Sequence, residues 1–156
     1  MAVEPIPEDY PRLVPSLAVD DAAGAIDFYA RVFGARERTR MDGPEGKIAH
    51  AELEFDGGGV LMLADPFPQM STKPPRELGA TSVGVFMYVE DVDAVVQRAA
   101  DAGATVVMPP EDMFWGDRYG KIADPFGHEW ELATHVEDLT PEEMQERGRE
   151  AMAGLG

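Results

Sequence analysis

The feature that most constrains this chain is a segment that occurs twice. Val19-Asp20-Asp21-Ala22-Ala23-Gly24-Ala25-Ile26 is answered by Val89-Glu90-Asp91-Val92-Asp93-Ala94-Val95-Val96. Each copy follows an apolar, strand-like run, Leu13 to Val19 and Val83 to Val89, and each opens a helical pattern. Ala22, Ile26, Tyr29 and Phe33 share one stripe of the first helix; Val92, Val95, Val96 and Ala99 share one stripe of the second. Both stripes recur at the helical period, so each helix has one side to bury. Acidic residues at the starts (Asp20 or Asp21; Asp91) can accept hydrogen bonds from amides that lack a partner inside the helix. Gly34 and Gly103 stand where a left-handed C-terminal cap is expected. The offset between copies is 70 at the strand and 69 at the glycine, so the helices differ by one residue.

After the first helix the pattern predicts strands near Ala35–Met41, Lys47–Phe55 and Gly59–Ala64, with turns at Asp42-Gly43-Pro44 and Asp56-Gly57-Gly58. After the second it predicts strands near Ala104–Met108, Arg118–Ala123 and His128–Ala133, separated by loops at Pro109–Gly116 and Asp124–Gly127. The order strand, helix, three strands therefore occurs twice, which predicts an α+β fold of two tandem βαβββ modules. The expected divisions are an N-terminal extension over residues 1–10, the first module over 11–65, a proline-rich linker over 66–80, the second module over 81–134 and a helical tail over 135–156. In that tail Thr140-Pro141-Glu142-Glu143 reads as a capping threonine, proline at the first helical position and glutamate at the third.

Composition narrows the function classes. Hydrophobic residues make up 44% and charged residues 28%, an ordinary globular balance. The net charge of −17 disfavours nucleic acid and anionic membrane surfaces, because both demand basic patches. It suits either a solubilising acidic surface or attraction of a cationic ligand. No apolar run is long enough to span a membrane, and the acidic, proline-containing first residues do not form a signal peptide, so cytoplasmic residence is expected. Cysteine is absent, which removes disulfides and thiol chemistry.

The repeated segments, Ile26-Asp27-Phe28-Tyr29…Phe33-Gly34-Ala35 and Ala102-Gly103-Ala104, together with the ending Asp124-Pro125-Phe126-Gly127-His128-Glu129-Trp130-Glu131-Leu132, resemble the vicinal oxygen chelate superfamily. That superfamily takes in glyoxalase I, extradiol dioxygenases, and fosfomycin- and bleomycin-resistance proteins. Met113-Phe114-Trp115-Gly116-Asp117-Arg118-Tyr119-Gly120 is similar to its PhnB-like, glyoxalase-related subgroup. The resemblance covers about residues 11–134. It implies modules that curl a mixed sheet around a cleft, a homodimer, and, in the enzymes, a divalent metal held by four strands. Carried onto this chain, the four ligand positions fall on Val14, Met62, Gly84 and Glu131. Only Glu131 is a ligand, so no metal is expected at the standard site and no other cofactor is expected.

Strand alternation then predicts what lines the cleft. Glu129 and Glu131 share a face, with His128, Trp130 and Leu132 turned to the helices. His50, Glu52 and Glu54 oppose Ala51 and Leu53. Ser16, Met62, Phe86 and Tyr88 join the lining, and Trp115, Arg118 and Tyr119 form a loop able to cover a flat or cationic ligand. His128 and the methionines Met62, Met87, Met108 and Met113 read as mostly core, and His135 has no evident partner. The first functional reading is a metal-free protein that binds a small aromatic or cationic molecule. The alternative is a lyase or isomerase of the glyoxalase type, using a metal at a non-standard site or acid–base chemistry by His50 and Glu131. A third is an interaction protein whose cleft is incidental.

Overall fold

The computed structural model describes residues 3–155. The chain falls into two compact units that divide between Thr81 and Ser82. The first unit holds β1 (Ser16–Ala18), α1 (Ala22–Phe33), β2 (Arg36–Asp42), β3 (Ile48–Glu54), β4 (Val60–Ala64) and the short α2 (Pro75–Leu78). The second holds β5 (Gly84–Tyr88), α3 (Val92–Asp101), β6 (Thr105–Asp112), β7 (Asp117–Ala123), β8 (Glu129–His135) and α4 (Pro141–Ala153).

The two four-stranded sheets have the same topology, β1-β4-β3-β2 and β5-β8-β7-β6. In each, the first strand pairs parallel with the last and the remaining pairs are antiparallel. The expected duplication is thus present in the hydrogen bonding. Ser16 pairs with Met62 in the first sheet and Phe86 with Glu131 in the second, so Met62 and Glu131 hold equivalent positions.

Each helix covers one face of its own sheet. In α1 the buried side is Ala22, Ala25, Ile26, Phe28, Tyr29 and Val32, broader than the expected stripe except that Phe33 is only half-buried, and it packs on β3, where Ala51 and Leu53 are fully buried. In α3 the expected Val92, Val95, Val96 and Ala99 are all buried, against β6, β7 and β8. Fully buried side chains such as Leu53, Leu63, Ile122 and Leu132 each contribute about 1.5–3 kcal/mol by leaving water.

Helix starts are tied to the sheets by equivalent residues of different chemistry. Asp21 accepts from the Gly24 amide (3.0 Å) and Asp91 from the Ala94 amide (3.1 Å), as the sequence suggests. A second acceptor comes from the end of the last strand: Asp65 takes the Ala22 amide at 3.0 Å and Thr134 takes the Val92 amide at 2.9 Å. Gly34 caps α1 in the left-handed region (φ +70), whereas α3 ends on Ala102 and the positive φ (+104) falls on Gly103 just after that cap.

Several expectations shift. β1 begins at Ser16 rather than Leu13, because proline precedes it, and only the Pro15 carbonyl extends the pairing, accepting from the Met62 amide. β6 runs on to Asp112 through Pro109 and Pro110, where a loop is expected. It is the edge strand, and its pairing with β7 slips twice, which lets two residues without amide hydrogens remain in a ladder. The linker carries α2, closed by left-handed Gly79. The four methionines assigned to the core are half-buried.

Candidate functional site

Each unit presents one polar and aromatic sheet face opposite its helix. In the first unit, the side chains of β3 alternate. Ala51 and Leu53 go under α1, while His50 and Glu52 go to the other face. Glu52 neighbours Met62, which neighbours Ser16, so the register sets these three in one row. Glu52 is only 6% exposed. His50 Nε2 lies 2.9 Å from its Oε1, and the Tyr10 hydroxyl donates to its Oε2 at 2.6 Å. These bonds, His50's first, hold the Glu52 carboxyl below its usual range, and the bond to Glu52 pushes the Tyr10 phenol up. With Glu52 ionised, His50 donates from Nε2 and keeps Nδ1 as its proton-accepting nitrogen. The Arg38 guanidinium lies 4.5 Å over the Tyr10 ring and donates to Asp9 at 3.2 Å, which ties the segment before β1 to the sheet.

In the second unit the face is aromatic. Phe86 is 45% exposed and Tyr88 62%. Their rings meet edge to face at 5.0 Å, Phe86 stacks on Tyr119 at 6.4 Å, and Trp115 meets Tyr119 edge-on at 5.6 Å. Carboxylates lie among the rings. Tyr119 donates to Glu131 Oε1 at 3.1 Å; burial first, and then this bond, raises its phenol to about 12. Glu129 pairs with Lys121 at 2.6 Å. Asp117, 3% exposed, accepts from the Tyr88 hydroxyl (3.0 Å) and from Trp115 Nε1 (3.1 Å) on Oδ2, while Oδ1 faces His135 Nδ1 at 2.8 Å. Gly84 keeps this face open, since a Cβ there would come within 3.3 Å of the Glu131 carboxyl.

The structure therefore gathers Ser16, His50, Glu52 and Met62 in one unit, and Phe86, Tyr88, Trp115, Tyr119, Glu129 and Glu131 in the other. Arg118 does not join them. It alternates away from Tyr119 and donates to Asp93 on α3 (2.6 and 2.9 Å) and to Asp112 (3.1 Å), so its charge is spent on the helix side. The sequence reading did not single out Tyr10, and it gave His135 no partner. Tyr10 lies 42 residues from Glu52, beyond any local pattern. Asp117 and His135, by contrast, are partners in the β7–β8 register, so pairing the hairpin residue by residue exposes them.

The resemblance implies a divalent metal, and the residues can be tested against it. Register confirms that Met62 and Glu131 are equivalent, and Gly84 and Val14 supply no donor side chain. One carboxylate with a thioether, an isopropyl group and a hydrogen atom does not fit a site that takes oxygen and imidazole ligands. Among the described residues, no group of three or more His, Asp or Glu side chains is arranged to hold a metal ion.

Known proteins share both the sequence and the fold. An uncharacterized protein of Mycobacterium tuberculosis is 51% identical over 138 residues, which cover 86% of this chain and 81% of that one. The crystal structure of TioX from Micromonospora sp. ML1 superposes with a TM-score of 0.63 at 35% identity, over 81% of this chain and 99% of that one. The anthracycline biosynthesis protein DnrV of Streptomyces peucetius is 29% identical over 119 residues, 71% of this chain and 42% of that longer one. Residues 12–132 match the family model for the Glyoxalase/Bleomycin resistance protein/Dioxygenase superfamily. With that match spanning most of the chain, and with the βαβββ order and strand pairing repeated in both units, the chain belongs to the Glyoxalase/Bleomycin resistance protein/Dioxygenase superfamily.

Proposed function

We propose that this chain is a small-molecule-binding protein of the glyoxalase and bleomycin-resistance type that captures an aromatic or cationic compound without a chelated metal. The observation that carries this reading is the exposed aromatic face of the second unit, where Phe86 and Tyr88 stand in water beside Tyr119 and Trp115, with Glu131 and Asp117 among them. Rings left in water gain by taking a flat partner, and nearby carboxylates favour a positive one. The donor-poor residues at the family's ligand positions support the metal-free form. A relative that is an anthracycline biosynthesis protein adds support, since anthracyclines are fused-ring aromatic compounds. The same reading includes a cytoplasmic homodimer; light scattering on the purified protein tests the dimer, and fractionation of cells tests the location.

Titration with a planar cationic dye such as proflavine, followed by tryptophan quenching and calorimetry, tests the binding. Saturable binding is expected, weakened about tenfold or more in Tyr88→Ala, since stacking on an aromatic side chain is worth about 1–3 kcal/mol. Absence of saturable binding to proflavine, and also to neutral fused-ring quinones, would overturn the reading.

His50 favours a second reading, an acid–base enzyme of the lyase or isomerase class. Its buried partner Glu52 orients it as a base through Nδ1, within one unit and without Glu131. If a substrate is found, His50→Ala retaining full turnover ends this reading.

A further inference from the structure

His135 is held in an arrangement that favours its protonated form, with an ionised carboxylate at each ring nitrogen. Its Nδ1 lies 2.8 Å from Asp117 Oδ1 and its Nε2 lies 2.9 Å from Asp138 Oδ1. A carboxylate oxygen only accepts, so both ring nitrogens must donate, and only the imidazolium carries two N–H groups. The partners differ. Asp117 is buried and also holds Tyr88 and Trp115, whereas the Asp138 side chain is fully exposed and has no other bond among those described.

We propose that His135 is a proton-operated control of the aromatic face: its imidazolium neutralises Asp117 beneath Tyr88 and Trp115, and its deprotonation releases Asp138 and gives the face one more net negative charge, which strengthens the capture of cations. This regulation rests on the binding reading above. Loss of the proton leaves one N–H for two carboxylates. The retained bond goes to Asp117, because a buried acceptor loses more than an exposed one when its donor leaves. Asp138, already exposed, is then left without a donor, and the turn between β8 and α4 loosens. Other charges nearby are already matched: Glu137 with Arg147 of α4, and Arg118 with Asp93 and Asp112 on the opposite side of β7. The Asp138 bond, and then the Asp117 bond, raise the His135 proton affinity above its ordinary value.

Two measurements on the full chain test this, and they fail separately. Proton NMR titration, assigned with His135→Gln, is expected to show His135 titrating above 6.5, the ordinary histidine value, and titrating lower in Asp138→Asn. Titration at or below 6.5, or no change in Asp138→Asn, overturns the control whether or not a ligand binds. Proflavine affinity is then expected to rise about fivefold across the same pH span, the size of effect that one added charge about 4 Å away has in a water-like dielectric. A neutral quinone of similar shape should bind equally at both ends, and His135→Gln should abolish the pH dependence. Cation affinity that stays flat while His135 titrates overturns the control. If His135 titrates as expected and neither probe binds, it is the binding reading that falls.

Discussion

Single side chains in this fold organise more than their own contacts. Asp124 is buried and accepts from the Phe126 amide (3.0 Å), the His128 amide (2.9 Å) and Trp130 Nε1 (3.0 Å), so one carboxylate closes the turn before β8 and fixes the largest core residue. Asp124→Ala leaves those donors in a space with little water, and each stranded donor costs about 1–3 kcal/mol. A total loss of about 3 kcal/mol or more is expected in urea unfolding; a loss below about 1 kcal/mol would mean that water replaces the carboxylate. His135 and Glu52 predict opposite pH behaviour. The raised proton affinity of His135 contributes stability that is complete below 6.5 and is lost as pH rises through its higher folded value. The lowered proton affinity of Glu52 contributes stability that is present above 4.5 and is lost as pH falls through its lower folded value. Melting temperature against pH should therefore fall on the alkaline side in a way that His135→Gln removes, and on the acid side in a way that Glu52→Gln reduces. Unchanged curves in both variants would show that neither pairing exists in solution.

At the scale of elements, α4 shows how far local signals can reach. None of its residues is buried, so it is held by its ends, by surface pairs and by the close approach of Gly148 to the Phe114 ring. The Glu143 amide donates to Thr140 Oγ1 at 3.2 Å, the Thr140 amide donates to Glu143 Oε2 at 2.9 Å, and Arg147 grips Glu137 with two bonds of 2.7 Å. Thr140→Ala should raise hydrogen exchange across the first turn of α4 by about fivefold, the equivalent of about 1 kcal/mol of capping, and leave β8 unchanged. Equal exchange in variant and parent would mean that the helix is held from elsewhere. This cap was legible in the sequence because it is written in four consecutive residues. So were the two helices, whose buried stripes and aspartate caps lie within one element. β6 was not, because whether Pro109 and Pro110 end a strand depends on that strand being at the edge of its sheet, a tertiary fact. The candidate site divides the same way. Alternation along one strand placed His50 with Glu52 and Glu129 with Glu131, but the reading of Trp115, Arg118 and Tyr119 as one covering loop put Arg118 over the ligand, whereas Asp93 on α3 draws it to the other side. Tyr10 needed a contact across 42 residues that no periodicity encodes.

For the molecule as a whole, the net charge of −17 sets a contest between two electrostatic effects. Exposed pairs such as Arg36 with Asp56, Lys73 with Glu77 and Arg147 with Glu137 lose strength as salt rises, but each such pair is worth only about 0–1 kcal/mol. Against them stands repulsion among the carboxylates that 13 Lys and Arg cannot match in a chain with 30 Asp and Glu. Repulsion sums over many pairs at long range, and salt removes it once the screening length falls to about 10 Å near 0.1 M. The repulsive sum should win, so the melting temperature should rise by a few degrees between low salt and about 0.15 M, where the screening length is about 8 Å. Capture of a planar cation should move the other way, since the same screening weakens its attraction to Asp117 and Glu131, while a neutral planar ligand should be nearly indifferent. A chain that becomes less stable as salt is added would show that its ion pairs, and not its surplus of carboxylates, dominate its surface.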